Sequence, residues 1–141
     1  MKLWILDTDT LSLLQRAHPL VSQRVNTIST EKLATTIITY EEQMYGRLNR
    51  IRRANSQESL VFAYMQLSET LEDFRTINVL YFTPEAASCH TELKQQKIRI
   101  GTQDLRIASI VIANNGILVT RNQRDFSLVP GLQFEDWTKE S

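Results

Sequence analysis

The amino-acid sequence predicts an α/β fold, a three-layer sandwich with a mainly parallel central sheet, flanking helices and a protruding helical hairpin. Two observations support this prediction. Short apolar segments of strand composition alternate along the chain with longer segments of helical periodicity. Strands separated by helices pair in parallel, and such sheets are covered on both faces. The length of 141 residues fits one domain, so we expect a single domain over residues 1–141.

The N-terminal segment predicts one strand and two short helices. Residues 2–6 (KLWIL) form an apolar run that ends at Asp7, and the following TDT supplies N-cap candidates for a helix through LSLLQR. His18 and Pro19 end this helix, and Pro19 favours the start of a second helix in PLVSQRVNTIS. An acidic residue is therefore expected directly after the first strand.

The central segment predicts a second strand and a helical hairpin. Residues 33–38 (LATTII) are apolar and β-branched, which indicates a buried strand. Thr39 is the expected N-cap of the next helix, with Glu42 completing a capping box. Residues 40–54 and 57–76 have helical periodicity, so we expect two helices packed as a hairpin.

The C-terminal half predicts further alternation of strands and helices. The expected elements are a strand at 78–83, a helix from Pro84 to about Lys97, a helix opened by Gly101–Thr102 and ended by Gly116, and strands at 117–120 and 133–137. The segment RNQRDFSLVPG between the last two strands is expected to form turns.

The composition of the chain excludes several classes of protein and of binding site. Sixteen basic and sixteen acidic residues give zero net charge, so any contact with RNA has to be local. Cys89 is the only cysteine, which excludes an internal disulfide and a cysteine-based zinc site. No apolar run reaches the ~18 residues of a membrane span, and the acidic N-terminus does not resemble a signal sequence. We therefore expect a cytoplasmic protein without membrane association.

The basic residues are concentrated in two places. The denser group is Arg47, Arg50, Arg52 and Arg53, and the smaller one is Arg121 and Arg124. A basic helix face is more often a solvated surface than a binding patch, so these groups give only supporting evidence for an RNA contact.

Acidic residues are placed after several predicted strands. Asp7 follows the first strand, Glu42 lies in the helix after the second, and Asp104 begins a later helix. Asn122 and Asp125 follow the strand at 117–120. Because ligands collect beyond the carboxyl ends of parallel strands, we expect these side chains to meet at one edge of the sheet.

Clustered carboxylates favour a divalent cation. Two like charges ~4 Å apart repel by about 4 kcal/mol at an effective dielectric constant of ~20, and a bound cation removes this cost. Oxygen ligands without a cysteine or histidine cluster favour Mg²⁺, with Mn²⁺ as the alternative ion. Asp9, Glu42 or Asp104 alone is better explained as a helix cap, and a cap explains Asp7 about as well as a ligand does, so the prediction depends on the convergence of several elements. We assign no chemistry to His18, His90 or Cys89.

Four segments in order resemble the blocks that define PIN domains: LDTDTLSLL, TYEEQMYG, IGTQDLRIAS and LVTRNQRDFSLVPGLQFEDW. They run from residue 3 to 137, and the sequence is most similar to VapC-type toxins of bacterial toxin–antitoxin pairs. The resemblance implies a PIN-like fold and a Mg²⁺-dependent endoribonuclease that cleaves RNA and is silenced by a cognate antitoxin. By analogy, the helical hairpin is expected to bind the antitoxin or to form a homodimer.

The resemblance implies a catalytic and metal-binding site made of Asp7, Asp104 and Glu42. Glu42 rather than Glu41 fits the family pattern T-x-x-E-x-x-x-G, in which Thr39 and Gly46 are the other matches. Thr8, Arg121 and Arg47 are the expected substrate contacts.

The family's usual fourth acid is replaced by Asn122 in this chain, while Asp125 fits the acid that commonly precedes the Phe. An amide oxygen can bind a metal or hold a water, but it brings no charge. We expect Asn122 to be the fourth catalytic residue and the one nearer the metal. Asp125 is expected to support the site or to bind a neighbouring Arg.

Two other functions remain open at this point. Asp7, Thr8 and Asp9 after an apolar strand are also compatible with an Asp-dependent phosphatase or phosphotransferase, although Leu11 stands where such enzymes have Thr or Val. The other alternative is a non-catalytic PIN-like module that binds RNA or a protein.

Overall fold

The computed structural model describes residues 2–140, and within them five short strands form one sheet. In chain order the strands are β1 (Trp4–Leu6), β2 (Leu33–Thr36), β3 (Asn78–Leu80), β4 (Ile117–Val119) and β5 (Gln133–Glu135). Their order across the sheet is β3-β2-β1-β4-β5, and each neighbouring pair is parallel. The predicted α/β fold with a parallel central sheet is confirmed.

Helices connect and cover these strands. Between residues 2 and 140 they are α1 (Thr8–Gln15), α2 (Pro19–Asn26), α3 (Ile37–Arg53), α4 (Gln57–Thr76), α5 (Pro84–Gln95), α6 (Thr102–Ala113) and α7 (Gln123–Phe126), with a 3-10 turn at Thr30–Lys32. Helices α3 and α4 pack together as the predicted hairpin. Over the described residues, no helix has both the length and the apolar character needed to span a membrane.

The sheet separates two hydrophobic cores, because successive residues of a strand point to opposite faces. The core against α5 and α6 contains Ile5, Ala34 and Leu118 from the strands. The core against α1 and α2 contains Leu6, Leu33 and Val119. Burial on both faces explains why the strands are continuously apolar in sequence.

The direction of the chain across the sheet reverses beside β1. From β1 the chain proceeds to β2 and β3 on one side, and it then places β4 and β5 on the other side. In open α/β sheets such a reversal leaves a crevice beyond the carboxyl ends of the two strands involved, where ligands bind. Asp7 directly follows β1, and Asn122 follows β4.

The second strand is shorter than predicted. It ends at Thr36, so Ile37 and Ile38 belong to α3, and the expected N-cap at Thr39 is wrong. The hydroxyl of Thr36 instead accepts a hydrogen bond from the backbone N–H of Thr39 at 3.1 Å. Burial of Ile38 in the core and the Thr36 cap override the weak preference of β-branched residues for strands. The expected capping box is therefore absent, and Glu42 makes other contacts.

Other elements also differ from the prediction, and β3 and β5 end earlier than expected, at Leu80 and Glu135. Helix α1 begins at Thr8, so the TDT segment lies inside the helix and Asp7 is its N-cap. The segment RNQRDFSLVPG, expected to form turns, contains α7. Phe126 at the end of α7 is 1% exposed, and its burial in the core holds this short helix in place.

The Thr36 cap predicts a specific loss of stability. Thr36→Ala and Thr36→Ser both remove the methyl group, but only Ser keeps the capping hydroxyl. We expect the Ala variant to be about 1 kcal/mol less stable than the Ser variant, because the Thr39 N–H loses its partner. Urea unfolding followed by circular dichroism measures this difference. Equal stability of the two variants would show that the cap contributes nothing.

Candidate active site

A pocket of about 440 Å³ lies at the sheet edge beyond β1 and β4. It is lined by Asp7, Thr8, Asp9, Glu42, Asp104, Arg121, Asn122 and Phe126. These residues belong to four separate parts of the chain, close to the starts of α1, α3, α6 and α7. The structure therefore brings Asp7, Glu42, Asp104 and Asn122 together, whereas Asp125 does not line the pocket, and the chemical roles of these residues remain predictions.

Asp7 is the most buried acid of the pocket, at 7% exposure. Its Oδ1 atom accepts a hydrogen bond from the backbone N–H of Thr10 at 2.8 Å and so caps α1. Burial raises the pKa of Asp7, while hydrogen bonds from Thr120 and Thr10 act in the opposite direction. Sequence analysis missed Thr120, whose only signal is its position directly after β4.

Glu42 and its neighbour Glu41 contact different parts of the protein. Oε1 of Glu42 accepts a hydrogen bond from the hydroxyl of Thr8 at 2.6 Å, and this hydroxyl lies 3.1 Å from that of Thr39. Glu41 is outside the pocket and accepts a hydrogen bond from Nε2 of Gln103 at 2.9 Å. Glu41 thus links α3 to α6, whereas Glu42 faces the pocket.

Asp104 lies in the first turn of α6. Burial, together with the charges of nearby carboxylates, raises the pKa of Asp104 from 3.8 to about 6. The contributing groups are Glu42, Asp7 and Asp125. A helix N-terminus favours the charged form of an acid, so the raised pKa shows that burial and the neighbouring carboxylates together outweigh this effect.

Asn122 lines the pocket and also caps α7. Its Oδ1 accepts a hydrogen bond from the backbone N–H of Asp125 at 3.3 Å, and its Nδ2 donates to Oδ2 of Asp125 at 3.1 Å. Its backbone N–H donates to the hydroxyl of Thr120 at 2.9 Å. The expected bond from Asp125 to a neighbouring Arg is wrong, because within residues 2–140 its carboxylate forms no salt bridge and contacts Asn122 instead.

The two arginines predicted to contact substrate lie in different places. Arg121 lines the pocket, and its guanidinium donates to both carboxylate oxygens of Asp9, at 2.7 and 2.9 Å. The carboxylate of Asp9 raises the pKa of Arg121. Arg47 does not reach this pocket, since it lines a separate one and donates from Nε to the hydroxyl of Thr70 at 2.9 Å. Sequence analysis did not identify Asp9 as the partner of Arg121.

The pocket offers oxygen donors, and neither cysteine nor histidine lines it. Carboxylates, hydroxyls and an amide of this kind suit Mg²⁺ or Mn²⁺. In the part of the chain that the structure describes, no three acidic, histidine or cysteine side chains are already close enough to bind one ion together. Binding an ion through three side chains therefore requires one or more of them to move.

Comparison with known proteins gives relatives that are named ribonucleases and solved structures of similar fold. No protein-family profile matches the chain. The chain is 30% identical over 145 aligned positions to ribonuclease VapC1 of Haemophilus influenzae strain R2866, with 97% of this chain and 99% of the relative covered. The chain belongs to the VapC family. Ribonuclease VapC2 of Rickettsia felis is 32% identical over 107 positions, which cover 76% of this chain and 75% of that VapC protein.

The solved structure of VapBC-1 from nontypeable Haemophilus influenzae superposes with a TM-score of 0.77 at 25% identity. The superposition covers 97% of this chain and 99% of the matched chain. The resemblance to VapC-type PIN domains is therefore confirmed over nearly the whole sequence.

The raised pKa of Asp104 predicts that the metal-free VapC chain gains stability as the pH falls from 7 to about 4. The folded chain releases this proton near pH 6 and the unfolded chain near 3.8, so the folded state binds the proton more tightly in that window. Replacing Asp104 by Asn removes the charge. In EDTA at pH 7.5 we expect Asp104→Asn to stabilise the fold by about 1 kcal/mol, after allowance for solvent screening.

Thermal unfolding of wild type and Asp104→Asn at pH 5 and pH 7.5 measures this effect. Glu41→Gln is the matched control, because Glu41 is an acid outside the pocket. The stabilisation is expected at pH 7.5 and should be smaller at pH 5, where Asp104 of the wild type is mostly protonated. An Asn variant that is less stable than wild type at pH 7.5 would contradict the argument.

Proposed function

We propose that this VapC-family chain is a metal-dependent endoribonuclease and the toxin of a toxin–antitoxin pair. The observation that carries the proposal is the meeting of Asp7, Glu42 and Asp104 in one pocket at the reversal point of a parallel sheet. The relatives named ribonucleases VapC1 and VapC2 support RNA as the substrate.

Mg²⁺, with Mn²⁺ as the alternative, is the proposed cofactor, and Asp7, Asp104 and Glu42 are its proposed ligands. The donor set fits a hard cation, and the raised pKa of Asp104 indicates negative charge that a cation would offset. When bound, the ion supplies positive charge that activates water and stabilises the charge developing on the phosphodiester.

The other pocket residues would orient these groups. The cap on α1 fixes the carboxylate of Asp7, and the hydroxyl of Thr8 fixes that of Glu42. Asn122 holds the start of α7 at the edge of the pocket. A charge-neutral amide at this position leaves the site with one negative charge fewer than the family pattern would give.

Arg121 is the proposed contact for a substrate phosphate. Its planar guanidinium suits bidentate binding to phosphate. In the structure, its Nε and Nη2 atoms donate to the carboxylate of Asp9. Both side chains are close to half exposed, so solvent screens this ion pair and a phosphate can compete with Asp9. Asp9 would then hold Arg121 beside the pocket until substrate binds.

A cognate antitoxin is the proposed protein partner, consistent with the VapBC-1 complex to which the chain is similar. The hairpin helix α4 exposes several large apolar side chains, which soluble proteins usually cover with a partner: Val61, Tyr64, Met65 and Leu71. A homodimer through the same hairpin remains a prediction. The phosphotransferase alternative gains no support, because Leu11 is 2% exposed and packs in the core.

The neighbouring acids Glu42 and Glu41 allow a matched test of the site. We expect Glu42→Gln to lower the rate of cleavage of a fluorogenic single-stranded RNA by about 100-fold or more, because it removes the charge of a proposed metal ligand. Glu41→Gln should stay within about twofold of wild type, since Glu41 is directed at Gln103. Asp7→Asn should be as inactive as Glu42→Gln while it keeps the fold, because Asn is also a good N-cap.

These rates are measured with purified proteins in Mg²⁺, and circular dichroism checks that each variant is folded. Full activity in a folded Asp7→Asn or Glu42→Gln variant would refute the proposed site. Equal losses in the Glu41 and Glu42 variants would assign the effect to helix packing.

Metal binding has a readout that does not depend on cleavage. At 100 times its Kd, Mg²⁺ should stabilise the wild type by about 2.7 kcal/mol, so the Tm should rise with the Mg²⁺ concentration. Asp104→Asn should shift this titration to higher Mg²⁺, and Glu41→Gln should not. No rise in Tm at millimolar Mg²⁺ or Mn²⁺ would favour a non-catalytic binding module.

A further inference from the structure

A second polar pocket, of about 540 Å³, lies between α1 and the α3–α4 hairpin. It is lined by Arg16, Arg47, Arg50, Phe62, Glu69 and Asp73, with neutral polar side chains between them. Arg50 and Phe62 also line an adjoining pocket of about 440 Å³, to which Arg53 contributes. We call the two connected pockets the arginine groove.

The arginines of this groove are held by neutral groups. Nε of Arg47 donates to the hydroxyl of Thr70 at 2.9 Å, and Nη1 of Arg50 donates to Oε1 of Gln66 at 2.6 Å. Within residues 2–140, neither these two nor Arg16 forms a salt bridge. Burial and the charge of Arg50 lower the pKa of Arg47, while the charges of Asp73 and Glu69 act in the opposite direction. Their positive charge is thus available to an anionic ligand.

The groove and the proposed active site are built on the same pair of helices. Thr8 and Glu42 join the starts of α1 and α3. Further along, the side chains of Gln15 and Gln43 exchange hydrogen bonds at 2.9 and 3.0 Å, and Gln43 also donates to Ser12. These contacts hold α1 and α3 side by side, so the groove has a fixed position relative to the active site.

The distance between the proposed active site and the arginine groove suits a ligand that is an extended polymer. Glu42 and Arg50 both lie in α3, eight residues apart, which corresponds to about 12 Å along the helix axis. A ligand that occupies both sites must therefore extend well beyond one phosphate. Single-stranded RNA is such a ligand, because it carries a phosphate at each nucleotide.

The distribution of charges within the groove favours phosphate binding in its outer half, near the tip of the hairpin. Phe74 packs on Tyr40 at the base of the hairpin, and Gln66 bonds to Arg50 further out. Asp73 and Glu69 therefore lie toward the base, whereas Phe62 lies toward the tip. The two acids repel phosphate near the base, so the outer residues Arg50 and Arg53 form the most favourable phosphate site.

We propose that the arginine groove binds the backbone of single-stranded RNA beyond the cleavage site, with Arg50 contacting a phosphate and Phe62 stacking on a base. Phe62 is 52% exposed, and the guanidinium of Arg50 lies 6.0 Å from the centre of its ring. Basic grooves with exposed aromatic rings are the usual means of binding single strands. The inference rests on the proposed function, because it extends the same substrate from the active site into the groove.

The arginine groove also offsets the negative charge of the proposed active site, which repels RNA. Four carboxylates line the pocket, of which only that of Asp9 is paired with an arginine, so the pocket repels a polyanion, and the chain as a whole has zero net charge. Arg121 is one cation at the pocket, and a group of cations outside it would add to the affinity for RNA. The arginine groove supplies that group on the same helices.

The test measures binding without cleavage. Fluorescence anisotropy in EDTA follows the binding of a labelled oligouridylate of about 12 nucleotides to the full chain. We expect Arg50→Ala to weaken binding about 5-fold to 10-fold and to reduce the slope of log K against log salt by about 0.7, the value for one phosphate contact on a single strand. Phe62→Leu should weaken binding at least about 5-fold through loss of stacking.

Two matched controls separate the groove from general effects. Arg52→Ala removes an equal charge from the same helix, but Arg52 is exposed and lines neither pocket. Tyr64→Leu removes an exposed aromatic ring of α4 that lies outside the groove. Both controls should bind as wild type. Equal losses for Arg50→Ala and Arg52→Ala, or no loss for Arg50→Ala, would overturn the proposal.

Poly-glutamate tests whether the groove is instead a site for an acidic protein segment. Binding of poly-glutamate as tight as that of the oligouridylate, with the same dependence on Arg50, would overturn the proposal in favour of a protein partner. Because the assay contains no metal, it is also independent of catalysis. Arg50-dependent RNA binding without Mg²⁺-dependent cleavage would support the groove and refute the proposed function, and cleavage with Arg50-independent binding would do the reverse.

Discussion

The carboxyl group of Asp7 lies in a position with little access to water, and the cost of burying it determines how the sheet edge is built. Two of its compensating groups come from elements on either side, the backbone N–H of Thr10 in α1 and the hydroxyl of Thr120 after β4. The first requires a helix to begin directly after β1, and the second requires β4 to pair beside it. The chain reversal beside β1 thus brings the start of α1 and the end of β4 to positions where both donate hydrogen bonds to this buried acid.

The acids around Asp7 oppose folding. Asp104 is half-buried among carboxylates, and its raised pKa expresses the work of placing another negative charge there. A protein selected only for stability would replace one of these acids with a neutral residue. Asn122 lies in the same pocket at the position of the family's usual fourth acid, which is consistent with one such replacement. Unfavourable burial of charge, concentrated where strands end, is typical of sites that are retained for chemistry rather than for folding.

Sequence reasoning predicted the layered α/β fold because it depends on local patterns, such as the apolar run before Asp7 and the periodicity of the hairpin helices. The separation of Glu42 from Glu41 also followed from sequence, since a family pattern fixes the register of that helix. The start of α3 was misplaced because Thr36 and Thr39 are both competent caps, and the burial of Ile38 decides between them.

The pairings that sequence reasoning did not find are between residues far apart in the chain. Asp9 and Arg121 are 112 positions apart, and Thr8 and Glu42 are 34 positions apart. Nothing in a local pattern shows which carboxylate a given guanidinium or hydroxyl will meet, because the choice depends on how helices pack. For the same reason, the basic segment of α3 could be seen in the sequence, while its groove with Phe62 could not.

The pairing of β1 with β4 also has a consequence for synthesis of the chain. Trp4 is opposite Ile117 in the sheet, so the pocket combines segments that the ribosome synthesises at different times. A ribosome-bound chain that ends before α6 carries Asp7 and Glu42 but neither Asp104 nor the strand that supports Asn122. Incomplete chains would thus lack the assembled site. Any nuclease activity would appear only after α6 and the segment that carries Asn122 have left the ribosome.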